Sequence, residues 1–159
     1  MLKYWTLLLL APILTATYVT SLPGSYAHLK RASKCNGYQD LCNRKYSNVT
    51  YIGAHDSFAV GKLGSLGSNQ EADVTVQLED GIRLLQIQTH ASSGNQDSNP
   101  SGLSLCHTSC ALKNGGTLES YLQHVKQFLD KNKNEVVTLV ITNQDNKPVS
   151  NFAKAFEDT

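Results

Sequence analysis

The sequence has no excess of charge of either sign, and it has few charged residues. In 159 residues, 14 Lys and Arg stand against 13 Asp and Glu, and charged residues make up 17% of the chain. A net charge of +1 gives no support to nucleic-acid binding or to a strongly acidic partner. The hydrophobic fraction of 40% is ordinary, so the composition is that of a globular chain rather than a disordered one.

The chain also lacks a long apolar run. Its most apolar stretch, residues 7–14, is shorter than the ~20 residues that a membrane-spanning helix needs, and Pro12 interrupts it. Lys3 precedes this stretch and small residues follow it, which is typical of a cleaved secretory signal. We therefore predict a signal peptide over residues 1–27, cut between 16 and 27, rather than a membrane anchor. The protein is then secreted, into the extracellular space or the cell wall.

Residues 28–42 are predicted to form a pro-segment followed by a disulfide-tied loop. Lys30-Arg31 is a cleavage site for a kexin-type protease in one interpretation and a pair of solvated charges in the other. Asn48 begins an Asn-Val-Thr sequence, which is an N-glycosylation acceptor in an exported chain.

The four cysteines form two close pairs, Cys35 with Cys42 and Cys106 with Cys110. An even number of cysteines in an exported chain indicates two disulfides. The sequence leaves three connectivities open, and local pairing is the simplest of them. A zinc site on Cys106, His107 and Cys110 is a weaker interpretation, because no second pair of ligands follows at a familiar spacing.

Four short apolar runs predict buried strands of a parallel sheet, and helical spacing predicts helices between them, over 71–80, over 118–132 and after Ser150. This alternation indicates an α/β fold. Thr117 is the expected cap of the second helix. The predicted strands are 49–54, 82–89, 103–106 and 136–142, and the residues that follow them are His55, His90, His107 and Asn143.

The polar residues at these strand ends are the candidate site. In a parallel barrel the strand ends meet at the face that carries active sites, so we expect all four to converge on one mouth. Alternation along the second strand puts Gln86 and Gln88 on the same face as His90. Histidine suits proton transfer, because its unperturbed pKa of about 6.5 lets one ring accept a proton while another donates one. The loop of residues 61–69 is rich in glycine, but it lacks the spacing of a P-loop or dinucleotide fingerprint.

A family resemblance is carried by four segments: Asn48–Ser57, Gln77–Leu85, Leu105–His107 and Glu135–Ile141. Together and in this order they resemble the X-type domain of phosphatidylinositol-specific phospholipase C. The stretch Leu105–Cys110 looks most like secreted fungal phospholipase-C-like phosphodiesterases. The resemblance covers residues 43–159 and implies the N-terminal portion of a (β/α)8 TIM barrel of this phosphodiesterase type. The barrel is expected to be truncated, since such barrels take roughly 200 residues or more.

The resemblance also implies a reaction, in which a neighbouring hydroxyl attacks a phosphodiester. His55 would be the general base and His107 the general acid, and Asp56 would hold His55 in its tautomer. No cofactor and no metal is implied. The expected substrate is a phosphodiester, with a lipid headgroup as one candidate, and membrane contact is at most peripheral.

Gln86 and Gln88 depart from the family pattern. Bacterial relatives carry Asp and Arg at these places and metal-dependent relatives carry acids, whereas glutamine neutralises no phosphate charge and is a poor ligand for hard metals. We assign the two glutamines, with His90 and Asn143, to supporting or substrate-binding positions. Arg83 has the opposite strand parity and should face away. Two hypotheses therefore stand beside the phosphodiesterase: a catalytically impaired barrel that binds a ligand or cell-surface component, and a non-functional fragment.

Overall fold

The computed structural model describes residues 33–92 and 99–159. The predicted signal peptide and Lys30-Arg31 lie outside the described residues, as does most of the loop between residues 92 and 102. The described chain forms five strands and three α-helices, and the turns Gln39–Asn43 and Tyr46–Asn48 are 3-10 helical. In chain order the elements are β1 (Gly53–Ala54), α1 (Val74–Glu79), β2 (Leu84–Ala91), β3 (Leu103–Cys106), β4 (Asn114–Thr117), α2 (Leu118–Lys131), β5 (Thr138–Asn143) and α3 (Val149–Glu157).

Strand β2 is the centre of the sheet. Along one edge, residues 84–89 pair in parallel with residues 138–143 of β5. The other edge is shared between two strands: β1 pairs in parallel with residues 84–85, and β3 pairs antiparallel with residues 89–91. Strand β4 continues antiparallel to β3. The same edge of β2 is therefore paired in parallel at residues 84–85 and antiparallel at residues 89–91.

The prediction of a parallel sheet is right for β1, β2 and β5 and wrong for β3. The connection between β2 and β3, residues 92–102, is shorter than the dozen or more residues that a parallel crossover takes, so β3 runs back along β2. Strand β4 was not predicted, because its sequence Asn-Gly-Gly-Thr carries no apolar signal. Its Gly115 packs so closely on Phe58 that a Cβ atom there would collide with the ring.

Two element boundaries also differ from the predicted ones. Only the last two residues of the predicted strand 49–54 pair in the sheet. Tyr51 stacks instead on Tyr46, with ring centroids 5.0 Å apart. Helix α3 begins after Pro148 rather than with Ser150 as its cap, since the fixed φ of proline suits the start of a helix.

The core lies between one face of the sheet and helices α1 and α2. Alternation along β2 buries Leu85 and Ile87 on this face and leaves Gln86 and Gln88 half-buried on the other. The side chain of Thr117 accepts the N–H of Ser120 at 3.1 Å, so the predicted cap of α2 is confirmed. The helices contribute the buried residues Val74, Leu78, Leu118, Leu122 and Val125.

Arg83 precedes β2 and is fully engaged at that end of the strand. Its Nε donates to Glu135 Oε2 at 2.8 Å, and its Nη1 donates to the carbonyl of Leu78 at 2.6 Å. The guanidinium also lies over the ring of Phe128, 4.9 Å from its centroid. Arg83 therefore holds α1, α2 and the approach to β5 together, and it faces away from the histidines as its strand parity predicts.

Both disulfides have the local pairing, Cys35 with Cys42 and Cys106 with Cys110. The zinc interpretation is wrong, because Cys106 and Cys110 are bonded to each other. Beside the first disulfide, Asn36 exchanges two hydrogen bonds with the backbone of Val136, which fastens this loop to the chain just before β5.

Asn48, the predicted glycosylation acceptor, is exposed at the end of the Tyr46–Asn48 turn. Glycosylation itself stays a prediction. In the part of the chain that the structure describes, no helix is long and apolar enough to cross a membrane.

Candidate active site

Asp56 is completely buried in the turn that follows β1. Its φ of +45° is unusual for a residue other than glycine, although aspartate and asparagine tolerate this region best. The side chain of Gln86 holds the turn, because its Oε1 accepts the N–H of Asp56 at 2.8 Å. The backbone carbonyl of Gln86 accepts the next N–H, that of Ser57, at 2.9 Å.

His107 lies close to the turn that holds Asp56 because β3 runs antiparallel to β2. In the register of β3 on β2, Leu105 pairs with Thr89, so the chain after Cys106 returns to the level of the middle of β2. Strand β1 ends at that level too, since Ala54 pairs with Leu85. The Nδ1 atom of His107 lies 2.9 Å from the carbonyl of Gly67. A carbonyl can only accept a hydrogen bond, so Nδ1 carries a proton.

One oxygen of Asp56 joins both histidines. Its Oδ2 lies 3.2 Å from Nε2 of His55 and 3.5 Å from Nε2 of His107. The same oxygen accepts from Nε2 of Gln88 at 3.0 Å and from Nδ2 of Asn69 at 3.4 Å. The other oxygen, Oδ1, is buried with no hydrogen-bond partner among the described residues. A buried carboxylate is costly unless it is paired, and the two rings and two amide groups that contact Oδ2 are its partners.

The histidines differ in exposure, and this sets what each can reach. The His55 side chain is 68% exposed, whereas that of His107 is 24% exposed. Both rings contact the same buried carboxylate oxygen and both are partly exposed, so a ligand that reached the two rings would contact two imidazoles. The pair can serve one proton acceptor and one proton donor across a short distance.

A buried chain of side chains supports the turn from behind. Tyr121 of α2 donates to Ser57 Oγ at 2.8 Å, and Ser57 Oγ donates to Gln77 Oε1 at 2.6 Å. Gln77 in turn donates to the carbonyls of Ser57 and Ala72. Burial raises the pKa of Tyr121, and its hydrogen bond to Ser57 opposes this, so the phenol remains a donor.

His90 and Asn143 do not join this cluster, and the predicted convergence of four strand ends is therefore wrong. His90 Nδ1 lies 3.4 Å from Oδ1 of Asp145. The backbone N–H of Ala91 binds Asp145 at 2.6 Å and lowers the pKa of that carboxyl, with a smaller contribution from His90. Asn143 closes its own turn through two hydrogen bonds with the backbone of Lys147. Strand β1 stops opposite Leu85, whereas β2 and β5 continue for several residues, so His90 and Asn143 lie further along the sheet than His55.

Three residues of the site were not predicted. Gly67 accepts from His107, Asn69 donates to Asp56, and Gln77 supports Ser57. The glycine-rich stretch 61–69 was the available signal for the first two, since it follows the strand that ends at His55. Gln77 lies inside a short helix and had no signal of its own.

The site offers amides where a hard metal ion would need carboxylates. Gln86 and Gln88 are both committed to Asp56. Over residues 33–92 and 99–159, no group of three His, Cys, Asp or Glu side chains is arranged to hold a metal ion. The residues that are present therefore do not fit a calcium or magnesium site.

The sequence model of the PI-PLC X family (PI-PLC X 1) matches residues 41–159. The chain belongs to the PI-PLC X family. A PI-PLC X domain-containing protein 1 of Arthroderma benhamiae is 48% identical over 122 residues, which cover 77% of this chain and 37% of that protein. An uncharacterized secreted protein of the same fungus is 46% identical over 125 residues, which cover 79% of this chain and 26% of that protein.

This PI-PLC X chain therefore spans well under half the length of the curated relatives that it matches. A solved structure from a study of membrane binding by S. aureus phosphatidylinositol-specific phospholipase C has a TM-score of 0.52 at 18% identity. The match covers 73% of this chain and 39% of that one. The curled mixed sheet is accordingly part of an α/β barrel of this type, and the predicted family and fold class are confirmed.

One relative also indicates where proteins of this kind are located. One of them is named as a secreted protein, and the two disulfides fit an extracellular location. The division into a signal peptide, a pro-segment and a barrel domain from residue 43 stays a prediction.

Proposed function

We propose that the PI-PLC X chain cleaves a phosphodiester by the phospholipase C reaction, with His55 and His107 as its proton-transfer pair. The observation that carries this proposal is the bridging oxygen of Asp56, which lies within 3.5 Å of Nε2 of both rings. Two imidazoles on one buried carboxylate form a unit that can hold one proton and exchange it. A purely structural pair of histidines would not need the exposed face that His55 presents.

His107 is suited to act as the general acid. The carbonyl of Gly67 keeps a proton on Nδ1, so Nε2 is the nitrogen that exchanges a proton. Nε2 lies 3.5 Å from the buried carboxylate of Asp56, which orients this nitrogen. In the proposed step His107 enters with a proton on Nε2 and gives it to the leaving group.

His55 is suited to act as the general base. Its Nε2 lies beside the same carboxylate, which favours the tautomer that is protonated on Nε2. Nδ1 is then the nitrogen with the free electron pair. Since the ring is mostly exposed, a substrate hydroxyl can approach Nδ1 directly.

The reaction balances without a metal or a further reactant. The oxygen of a hydroxyl neighbouring the phosphate attacks phosphorus, and its proton passes to His55. The bond from phosphorus to the leaving oxygen breaks, and that oxygen takes the proton from His107. The product is a cyclic phosphodiester, and the two rings have exchanged protonation states, ready for water to open the ring by the reverse sequence.

The proposal is tested with phosphatidylinositol in vesicles, by following release of the phosphorylated headgroup with and without a chelator. We expect release in both conditions, because Gln86 and Gln88 leave no carboxylates for a hard metal. Absence of release at any pH between 5 and 9 would contradict the proposal. Release that the chelator abolishes would keep the phosphodiesterase and overturn its metal-free mechanism.

The loop of residues 61–69 supports a lipid surface as the place of action. Leu63 and Leu66 are 91% and 83% exposed, and the next residue, Gly67, holds His107. Exposed large apolar side chains beside a site are a reason to expect a membrane contact there. We propose that both leucines enter the lipid interface when the headgroup occupies the site.

Changing Leu63 and Leu66 together to serine is expected to weaken binding to phosphatidylinositol vesicles about tenfold or more, since burying one leucine contributes roughly 1.5–3 kcal/mol. Cleavage of a water-soluble phosphodiester should stay unchanged. The measurement is co-sedimentation with vesicles. The matched control is Ile52→Ser, because Ile52 is 73% exposed at the opposite end of β1. Equal binding by the double variant and the control would contradict the lipid contact.

The alternative is a barrel that binds a phosphodiester without cleaving it. The observation in its favour is that Gln88 gives the site no charge of its own to place against a phosphate. This alternative predicts vesicle or headgroup binding with no release of product. The cleavage assay therefore separates the two functions directly.

A further inference from the structure

Among the described residues, the second strand of the proposed site carries no cation where the family resemblance would put one. Gln86 and Gln88 are neutral and are bound to Asp56. Arg83 is turned away and paired with Glu135. A phosphodiester carries a negative charge, and more charge develops as it is attacked, so a fixed cation at this point would contribute strongly to binding and rate.

Lys113 lies opposite His107 on the β3–β4 hairpin. The N–H of His107 donates to the carbonyl of Lys113 at 3.1 Å, which continues the pairing of Cys106 with Asn114. Side chains directly opposite in an antiparallel pair project from the same face, with Cβ atoms about 4.5–5.5 Å apart. Lys113 therefore leaves the hairpin on the side where the His107 ring lies.

Gly67 gives independent evidence for this position. Its carbonyl binds the ring of His107. A Cβ atom built on Gly67 would meet the Cβ of Lys113 at 3.0 Å. His107 and Lys113 thus contact the same glycine, one through its ring nitrogen and the other through the base of its side chain.

The ammonium group of Lys113 has only a neutral partner among the described residues. Its Nζ donates to the carbonyl of Val60, and none of the ion pairs in the described chain includes it. Val60 bridges to Gln70, whose side chain donates to the carbonyl of His55 at 2.6 Å. The half-buried side chain of Lys113 therefore starts beside His107, and its ammonium group lies at the segment that contacts His55.

We propose that Lys113 binds the phosphate of the substrate, by turning its ammonium from the Val60 carbonyl to a phosphate oxygen between the two histidines. The proposal rests on the proposed function and names the group that supplies its missing charge. Lysine suits this role, because it carries a compact charge on a flexible stem and can move without disturbing the hairpin. One carbonyl is a weaker partner for an ammonium than a phosphate oxygen is.

The test compares Lys113→Gln, Lys113→Arg and wild type. Glutamine keeps a donor for Val60 and removes the charge, whereas arginine keeps the charge. Binding of inorganic phosphate is measured from the changes in the His107 ring resonances as phosphate is added. The values of kcat and KM are measured with phosphatidylinositol as the substrate. We expect Lys113→Gln to lose about 10- to 100-fold in phosphate affinity, the usual size of a charge-assisted hydrogen bond. Lys113→Arg should retain most of it.

The control is Lys131→Gln, which removes the same charge from the exposed end of α2. Equal phosphate affinity for Lys113→Gln and this control overturns the proposal, and so does a wild type that binds no phosphate. Phosphate binding that depends on Lys113 without any turnover would support the proposal and refute the phosphodiesterase. Turnover by Lys113→Gln at the wild-type rate would refute the role of Lys113 and support the phosphodiesterase.

Discussion

Replacing His107 with alanine is expected to slow phosphodiester cleavage by about 10²–10⁴, the usual contribution of one general acid or base. The variant removes the ring whose Nδ1 binds the Gly67 carbonyl and whose Nε2 lies beside Asp56. Without it, the leaving oxygen must depart as an anion or take its proton from water. The loss should appear in kcat, because the ring acts on the bond that breaks.

His55→Ala is expected to cost about the same, since it acts on the other proton transfer of the same step. The pH dependence of wild type should be bell-shaped, because the proposed step needs one group without its proton and another group with its proton. The two limbs belong to the coupled pair rather than to either ring alone, because both rings share Asp56. Each alanine variant should lose one limb of the profile.

His124→Ala is the matched control for both variants. His124 is exposed on α2 and lies outside the site, so its removal should leave the rate and the pH profile unchanged. Wild-type rates for His55→Ala and His107→Ala would end the catalytic proposal. Intact headgroup binding in those variants would then favour the barrel that binds without cleaving.

The two histidines of the site were predicted from the sequence, but the predicted reason for their proximity was incomplete. It placed His55 and His107 at the ends of parallel strands, whereas β3 runs antiparallel. Both rings still contact Asp56, because β1 ends early, opposite Leu85, and β3 runs back along β2 toward the turn that follows β1. The pattern of apolar runs carries no information on strand direction, which the length of the 92–102 connection decides.

The residues that were misplaced follow longer strands, because β2 and β5 continue well beyond the end of β1 opposite Leu85. His90 and Asn143 end β2 and β5 as predicted, yet they lie above the cluster and bind Asp145 and the backbone of Lys147. Residue pattern could not show that Asp56 serves both rings, because this depends on its buried turn with φ of +45°. Nor could it show that Gln86 and Gln88 are occupied in holding Asp56, since only the folded turn brings Asp56 against β2.

The glutamines acquire a different meaning in the folded chain. In the sequence the two glutamines replace residues that are charged in relatives. In the structure Gln86 accepts the N–H of Asp56, and Gln88 donates to the carboxylate of Asp56. An arginine at residue 88 would compete with the histidines for that carboxylate. Glutamine donates a neutral hydrogen bond to Asp56 and leaves the same oxygen in contact with both His55 and His107.

Asp56→Asn is expected to lower kcat by about 10²-fold or more, with a smaller change in KM, because a carboxylate that sets a histidine tautomer cannot be replaced by an amide. Asparagine tolerates a positive φ as aspartate does, so the turn and its bond to Gln86 should persist. An amide at this position carries no charge beside the two rings, and it can turn its N–H toward a ring nitrogen that would otherwise face the carboxylate.

The matched control is Asp80→Asn, which changes an exposed carboxylate at the end of α1. The free energy of unfolding is measured alongside, by urea denaturation. We expect Asp56→Asn to remain folded with at most a modest loss of stability, because its amide oxygen can still accept from Gln88 and Asn69 as the carboxylate does. A stable variant that has lost activity would separate the electrostatic role of Asp56 from a structural one. A stable variant with the wild-type kcat and pH profile would show that the shared carboxylate takes no part in the reaction, and the two histidines would then have to act independently.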